Sequence, residues 1–276
     1  MNKLPTLGVG IGFRYPFLSQ LFLHRQKIDF LEIIAEHYLD CTSEKLEELD
    51  LLAAHFPIIP HGINLSLGSA KGLDIDYLEK MAKLIKRINP PYWSEHLCFT
   101  RSHHIDIGHL SPLPFTQEAI NIVCQNINIM RQYIDIPFVV ENIAYIVKIP
   151  GSEMTEVQFI NEIIHQADCG LLLDVTNLYI NSINHQYNSE DFINQLALER
   201  VVQLHFVGGH WDDDILIDSH SQPTHPEVWE IMDLVLAKTN VLAVVLERDE
   251  NLPKFEQLLL ELDQARNIGR KYQRWV

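Results

Sequence analysis

The chain of 276 residues has few cysteines and no long apolar run. Cys41, Cys98, Cys124 and Cys169 form no C-x-x-C pair, so the sequence predicts neither a disulfide framework nor a thiolate zinc site. This usage of cysteine fits a reducing cytosol, where we expect the protein to be located. The N-terminal residues lack the apolar core of a signal peptide, and no later segment approaches the roughly 18 apolar residues of a membrane span. We therefore expect no membrane contact.

Basic residues are also scarce, because 21 Lys and Arg stand against 37 Asp and Glu and give a formal net charge of -16. This balance argues against a nucleic-acid-binding protein, which needs a basic face. Most of the excess carboxylates are expected on a solvated surface, and the remainder can cluster to bind cations. Hydrophobic residues make up 47% of the chain, which is enough for a globular protein with a large core.

Short apolar runs alternate with longer segments of helical period, and no Gly, Ser or Pro linker interrupts them. This alternation is typical of a parallel sheet built from strand and helix units. The predicted strands are LGVGIG from Leu7, IDFLEII from Ile28, PIIPHGI from Pro57, YWSEHLCF from Tyr92, PFVVEN from Pro137, CGLLLDV from Cys169, RVVQLHF from Arg200 and VLAVVLERD from Val241. Eight strands can close a barrel, so we predict one α/β domain over residues 1–276, a (β/α)8 TIM-like barrel.

Polar residues recur where the predicted strands end. An apolar run comes first each time, and a histidine or carboxylate follows it: Glu36, His61, His96, Glu141, Asp174, His205 and Glu247. In such a barrel the C-terminal strand ends meet on one face, where active sites lie. A single residue of this kind is most often a hydrogen-bonded core or rim residue. Repetition at many strand ends favours a shared site, because buried carboxylates need a partner or a metal ion.

These side chains are imidazoles and carboxylates without a thiolate, the ligand set of iron, manganese, zinc or magnesium. A long loop after the seventh strand ends in ILIDSH, and if this segment is extended, Asp218 and His220 point to the same side. Both could then bind one ion together with Glu247. Histidines on predicted helices and loops are expected at the surface: His24, His55, His103, His104, His165 and His185. Composition and spacing thus predict a metal-dependent barrel enzyme.

Eight short motifs follow one another along the chain from about Leu7 to Asp249: GVGIGFR, HGINLSLGS, SEHLCF, VVENI, LLLDVTNLY, LHFVGGH, DSH and LERD. In this order they resemble the multinuclear non-haem iron-dependent oxidative enzymes. That family was long a domain of unknown function, and it includes the methanobactin-biosynthesis oxidase. The resemblance implies a TIM-like barrel that holds two or three iron ions, in a mixture of Fe(II) and Fe(III).

By motif position, the resemblance also implies which residues act. The implied metal ligands are His61, His96 and Glu141 for one iron, Asp174 and His205 for a second iron that Glu141 bridges to the first, and Asp218, His220 and Glu247 for a third. Asn177 and Asp249 are weaker candidates, as catalytic residues that support the ligands or contact the substrate. His210 occupies the family's GH position without an assigned role. After the second strand the family often has EN, whereas this chain has Glu36, His37 and Tyr38, so the edge that faces the peptide differs.

The resemblance implies an activity as well. Members of the family use dioxygen to modify residues, often cysteine, of ribosomally made peptides in natural-product biosynthesis. They commonly act with a small partner protein that presents the precursor peptide. This chain is therefore expected to be an iron-dependent oxidoreductase with a precursor peptide as substrate and such a partner protein.

Two other functions are compatible with the residues. A sugar isomerase-like or endonuclease-like barrel also gathers His, Glu and Asp around divalent ions, but it would contain manganese, magnesium or zinc. The acidic net charge speaks against the endonuclease. A non-catalytic metal- or peptide-binding subunit would bind metal without consuming dioxygen.

Overall fold

The computed structural model describes residues 4–102 and 105–275. Its strands, in chain order, are β1 (Gly8–Gly12), β2 (Leu31–Ile34), β3 (Ile58–Gly62), β4 (Trp93–His96), β5 (Phe99–Ser102), β6 (Ile105–Ser111), β7 (Phe138–Glu141), β8 (Gly170–Asp174), β9 (Val201–Phe206), β10 (Gly208–Asp212), β11 (Ile215–Gln222) and β12 (Ala243–Leu246). Its helices are α1 (Leu18–Leu23), α2 (Glu36–Leu39), α3 (Ser43–Ala53), α4 (Ile75–Ile88), α5 (Gln117–Met130), α6 (Glu156–Gln166), α7 (Val175–Asn184), α8 (Ser189–Gln195), α9 (Pro226–Lys238) and α10 (Phe255–Lys271).

Eight strands form a closed parallel barrel in the neighbour order β1-β12-β9-β8-β7-β4-β3-β2. This arrangement confirms the predicted TIM-like barrel, and each barrel strand lies within the apolar run that predicted it. Helix α10 packs against both β1 and β12, so the last helix covers the join between the first and last barrel strands. None of the described helices combines the length and the apolar character that crossing a membrane requires.

Inward-facing side chains of the barrel form layers. One buried apolar cluster joins residues from several strands, among them Ile59 on β3, Val139 on β7, Leu172 on β8 and Val245 near the end of β12. Residues two apart on a strand face the same side. The next inward positions are therefore polar, since they are occupied by His61, Glu141, Asp174 and Glu247. The apolar layer closes the barrel interior beneath a polar layer at the C-terminal strand ends.

Two antiparallel hairpins interrupt the alternation of strands and helices. Strands β5 and β6 pair after β4, and strands β10 and β11 pair after β9. A hairpin therefore precedes the expected helix at these two places. The segment ILIDSH, expected on a long loop, is part of β11, and pairing with β10 gives it a fixed position beside the barrel.

Substitution of Leu204 on β9 tests how much the apolar layer between the barrel and its helices contributes to stability. Its side chain is 0% exposed within the main hydrophobic cluster. We expect Leu204→Ala to lower the free energy of unfolding by about 2–5 kcal/mol, because it removes buried methyl groups and leaves a cavity. Urea denaturation measures this change. The same substitution at Leu260 on α10, which is 68% exposed, should cost less than about 0.5 kcal/mol. Equal losses of unfolding free energy in the two variants would contradict the role of Leu204 in this layer.

Candidate metal centre

The predicted ligands lie at the polar end of the barrel and on the adjoining hairpin. In the described residues, three groups of side chains have ligand atoms within 4.8 Å of one another. These groups are His61, His96 and Glu141; Glu141, Asp174, His205 and Glu247; and His220, Glu247 and Asp249. Glu141 and Glu247 each belong to two groups, so the three form one continuous cluster.

In the first group, two imidazoles turn the same nitrogen toward one carboxylate. His96 Nδ1 donates to the Gly62 carbonyl oxygen at 3.1 Å, and His61 Nδ1 lies 2.8 Å from Ser94 Oγ, to which it can donate in the same tautomer. The Nε2 atoms of His61 and His96 then lie 3.2 and 3.4 Å from Glu141 Oε2. Fixing one ring nitrogen with a hydrogen bond and leaving the other free is the usual arrangement of metal-binding histidines.

Glu141 connects the first two groups through its two carboxylate oxygens. Oε2 faces His61 and His96, whereas Oε1 lies 3.0 Å from His205 Nδ1. The side chain is only 1% exposed, so water does not screen its charge. A carboxylate with its oxygens directed at two sets of ligands has the geometry needed to bridge two metal ions.

Asp174, in the second group, uses one oxygen for the fold and leaves the other available. It is the N-cap of α7, and its Oδ1 accepts hydrogen bonds from Thr176 N at 2.6 Å and Asn177 N at 2.9 Å. Its Oδ2 is buried and has no hydrogen-bond partner among residues 4–102 and 105–275. A buried carboxylate oxygen without a partner is costly unless a cation binds it. On the other side of the group, His205 Nδ1 lies 3.0 Å from Glu247 Oε2.

The third group differs from the one implied by the sequence. His220 Nδ1 lies 3.0 Å from Asp249 Oδ2 and 3.9 Å from Glu247 Oε2, while His220 Nε2 lies 3.0 Å from Asp218 Oδ1. Asp218 and Glu247 therefore face opposite nitrogens of this imidazole. A ring binds one ion through one nitrogen, so in this orientation the two carboxylates do not share an ion bound to His220. Asp249, expected only to support ligands or contact substrate, takes the place next to Glu247.

Backbone contacts explain why Asp249 lies beside His220. The amide groups of Asp249 and Glu250 both donate to the His220 carbonyl oxygen, at 3.0 and 3.3 Å. His220 itself has a left-handed φ of 49°, which turns its side chain away from a regular strand. Arg14 forms an ion pair with the second oxygen of Asp249. This cation was not anticipated, since it precedes the first helix and is distant in sequence.

The other candidates support the cluster or lie outside it. Asn177 Nδ2 donates to the Asn142 carbonyl oxygen at 3.1 Å, and Asn142 Oδ1 accepts from Asp174 N at 2.9 Å, so both amides hold the segment around Asp174. Glu36 Oε1 accepts from the backbone of Ile63 and Asn64, so it fixes the loop after β3 and joins none of the three groups.

The remaining histidines fall into three kinds. His210 is exposed on β10 and belongs to none of the three groups, and His37 is exposed on α2. The expected surface position holds for His55 and His165, whereas His24 and His185 are half-buried. His185 Nε2 donates to the Tyr145 carbonyl oxygen at 2.8 Å, which explains its burial. His103 and His104 are outside the described residues.

Electrostatic coupling in the cluster is strong. Burial alone would lower the pKa of His96, but Glu141 and Glu95 outweigh it and raise the pKa to about 9. Burial likewise opposes protonation of His205, whereas Glu32, Glu247 and Glu141 raise its pKa well above the usual value. Protons on the imidazoles therefore neutralise the carboxylates when no metal is bound.

Asp174 is a carboxylate for which the metal-free site favours the neutral, protonated form. Burial, and then the negative charges of Glu141 and Asp218, raise the pKa of Asp174 to about 8. An ionised Asp174 would therefore leave excess negative charge in the site. A cation bound among these groups would remove the imbalance.

The closed barrel and its buried histidine and carboxylate cluster define a TIM-barrel protein with a candidate metal centre at the C-terminal strand ends. Residues 8–270 match the model of the family described as "RiPP precursor modification enzyme MbnB/TglH/ChrH". The chain belongs to this family, as its motifs predicted.

Curated relatives agree with this assignment, and a solved structure shares the fold. A UPF0276 protein of Caulobacter vibrioides is 33% identical over 267 residues, covering 96% of this chain and 95% of the relative. A UPF0276 protein of Shewanella oneidensis is 34% identical over 261 residues, covering 93% and 92%. The fold is similar to D-psicose 3-epimerase from Clostridium cellulolyticum H10, with a TM-score of 0.64, 12% identity and coverage of 96% and 99%. At that identity the likeness concerns the fold alone.

The raised pKa of His96 predicts how the stability of the metal-free protein depends on pH. Its pKa is about 9 in the folded protein and about 6.5 in an unfolded chain, so the stabilisation is complete below about pH 6.5 and disappears as pH rises toward about 9. The raised pKa of Asp174 acts in the same direction. Urea denaturation after chelation should show the free energy of unfolding falling over this range. His96→Asn should make the fall shallower, and an unchanged slope would contradict the assignment.

Proposed function

We propose that this protein is a multinuclear non-haem iron-dependent oxygenase or oxidase that uses dioxygen to modify a cysteine residue of a ribosomally made precursor peptide. Membership of a family of RiPP precursor modification enzymes supports the peptide substrate. The observation that carries the metal chemistry is the orientation of Glu141, whose two oxygens face two different sets of histidines. We also propose that a small partner protein presents the peptide. The single domain over residues 1–276 and the cytosolic location stay predictions.

The residues of the cluster fit iron. Imidazole nitrogens and carboxylate oxygens are the donors of non-haem iron sites, and the three groups contain no thiolate. Asp174 Oδ2 is buried without a hydrogen-bond partner among the described residues, and the polar neighbours of Glu141 Oε2 and Asp218 Oδ1 are imidazole nitrogens of candidate ligands, so all three oxygens are placed to bind a cation. Iron, when bound, supplies the redox chemistry that dioxygen requires.

The residues of this chain have distinct tasks in the proposed site. His61, His96 and Glu141 would hold one ion, and Glu141, Asp174 and His205 would hold the second. Three of these side chains have their orientation fixed before any metal binds. His61 is held by Ser94, His96 by the Gly62 carbonyl oxygen and Asp174 by the first turn of α7. The third ion would lie near His220, with Glu247 and Asp249 as candidate ligands on the Nδ1 side and Asp218 as the candidate on the Nε2 side.

The function is tested by metal identity and dioxygen consumption together. Protein purified without air and loaded with Fe(II) is incubated with a cysteine-containing precursor peptide, dioxygen and a reductant. We expect dioxygen consumption and a mass change confined to the peptide. Manganese, magnesium or zinc in the purified protein together with sugar isomerase activity would favour the isomerase-like barrel instead. Bound metal without dioxygen consumption, with the peptide and its partner protein present, would favour a non-catalytic subunit.

Glu141→Gln tests the bridge. A neutral amide cannot serve two cations as a carboxylate does, so we expect metal content to fall at both the His61 and the His205 sides. Elemental analysis gives the stoichiometry. Glu156→Gln is the matched control, because Glu156 is a half-buried carboxylate whose partners, Tyr145 and Tyr187, are outside the three groups. Unchanged stoichiometry in Glu141→Gln would exclude the bridging role.

His220→Ala tests the third group separately. It removes one ligand from the hairpin and none from the pair of groups around Glu141, so we expect partial loss of metal with activity reduced or absent. Circular dichroism should show an unchanged fold. His109→Ala, at an exposed histidine on β6, is the control and should retain all its metal. Full metal retention in His220→Ala would mean that this group binds no ion.

A further inference from the structure

Glu32 is a buried carboxylate in the middle of a barrel strand. Its neighbours on β2, Leu31 and Ile33, are 0% exposed, and Glu32 itself is 2% exposed. It belongs to none of the three groups that could hold a metal ion. A charge at such a position is strongly unfavourable unless other groups compensate it, so its contacts should explain its presence.

The first contact of Glu32 is with a predicted metal ligand. His205 Nε2 lies 2.8 Å from Glu32 Oε1, while the opposite ring nitrogen, Nδ1, lies 3.0 Å from both Glu141 Oε1 and Glu247 Oε2. An ionised carboxylate only accepts hydrogen bonds. The contact with Glu32 therefore requires a proton on Nε2 and permits a free lone pair on Nδ1.

The second contact holds Glu32 from behind. Gln203 Nε2 donates to Glu32 Oε2 at 2.6 Å, and the hydroxyl of Tyr92 donates to Gln203 Oε1 at 2.5 Å. Because the Glu32 carboxylate can only accept, the NH2 group of Gln203 faces Glu32, and Oε1 faces Tyr92, whose hydroxyl donates to it. Tyr92 and Gln203 are both 0% exposed, so water does not compete for these bonds.

We infer that Glu32 is a positioning residue, which holds His205 in the tautomer that leaves Nδ1 free to bind metal. Gln203 shows why the carboxylate is needed, since its Nε2 also lies 3.0 Å from His205 Nε2. Without Glu32 this amide would donate to Nε2, and the ring proton would move to Nδ1, the nitrogen that faces the cluster. The inference rests on the proposed metal centre, but on neither iron nor dioxygen chemistry.

Glu32→Gln should reverse the tautomer of His205 and not merely remove its hydrogen bond to residue 32. The new amide faces the N–H group of Gln203, so its oxygen turns toward Gln203 and its NH2 group toward His205 Nε2. We expect His205 to carry its proton on Nδ1 and the protein to lose about 10- to 100-fold in zinc affinity, as is typical for residues that orient a metal ligand.

Zinc affinity and 15N NMR of the histidine rings measure the two expected effects. Protein labelled with 15N at histidine is measured metal-free and with zinc, and competition with a chelator gives the affinity. In the unmodified protein we expect zinc on His205 Nδ1 and a proton on Nε2, and in Glu32→Gln we expect that signal to be lost. Glu156→Gln, the same change at a half-buried carboxylate outside the groups, should keep both the signal and the affinity.

The outcomes separate this inference from the proposed centre. No zinc binding in the unmodified protein would contradict the metal centre itself. Normal zinc affinity with an unchanged Nε2 proton in a folded Glu32→Gln protein would overturn only the role of Glu32. If Glu32→Gln does not fold, the zinc-loaded unmodified protein decides, because its nitrogen spectrum shows which ring nitrogen of His205 binds zinc. Zinc on Nδ1 with a proton on Nε2 would support the inference, whereas zinc on Nε2 with the proton on Nδ1 would overturn it.

Discussion

Five buried carboxylates among the described residues lie in or beside the polar cluster of this barrel, and their charge must be neutralised for the fold to be stable. Glu32, Glu95, Glu141, Asp174 and Glu247 are each at most 8% exposed. Isolated carboxylates in such surroundings are strongly unfavourable, so they need protons, imidazolium groups or metal ions as partners. His96 and His205 meet this need in part. The raised pKa values of His96, His205 and Asp174 are three expressions of the same requirement.

The barrel satisfies this requirement through simple strand geometry. Apolar inward positions fill the interior, and the inward positions two residues later carry the polar cluster. Parallel strands place all those positions at the same end, so ligands distant in sequence meet without long loops. Asp174 shows how closely the fold and the centre are combined, because one of its oxygens begins α7 while the other is left for a ligand.

The sequence predicted the barrel well because strand runs and their polar ends are local signals. The predicted strands contain all eight barrel strands, and the clustering of His61, His96, Glu141, Asp174, His205 and Glu247 follows from their places at strand ends. The pairing within β10 and β11 was not predicted, since hairpin register depends on tertiary packing. The position of Asp249 beside His220 was not predicted, because it depends on backbone hydrogen bonds to the His220 carbonyl oxygen. Glu32 could have been noticed, because a carboxylate inside the run IDFLEII needs a buried partner.

The central claim is that Glu141 joins two metal ions into one centre. Mössbauer and electron paramagnetic resonance spectra of the iron-loaded protein test it most directly, since a bridging carboxylate couples the spins of the two ions. The account predicts a magnetically coupled iron pair that appears once at least two ions are bound per chain. Spectra of isolated, uncoupled iron at every loading would contradict it.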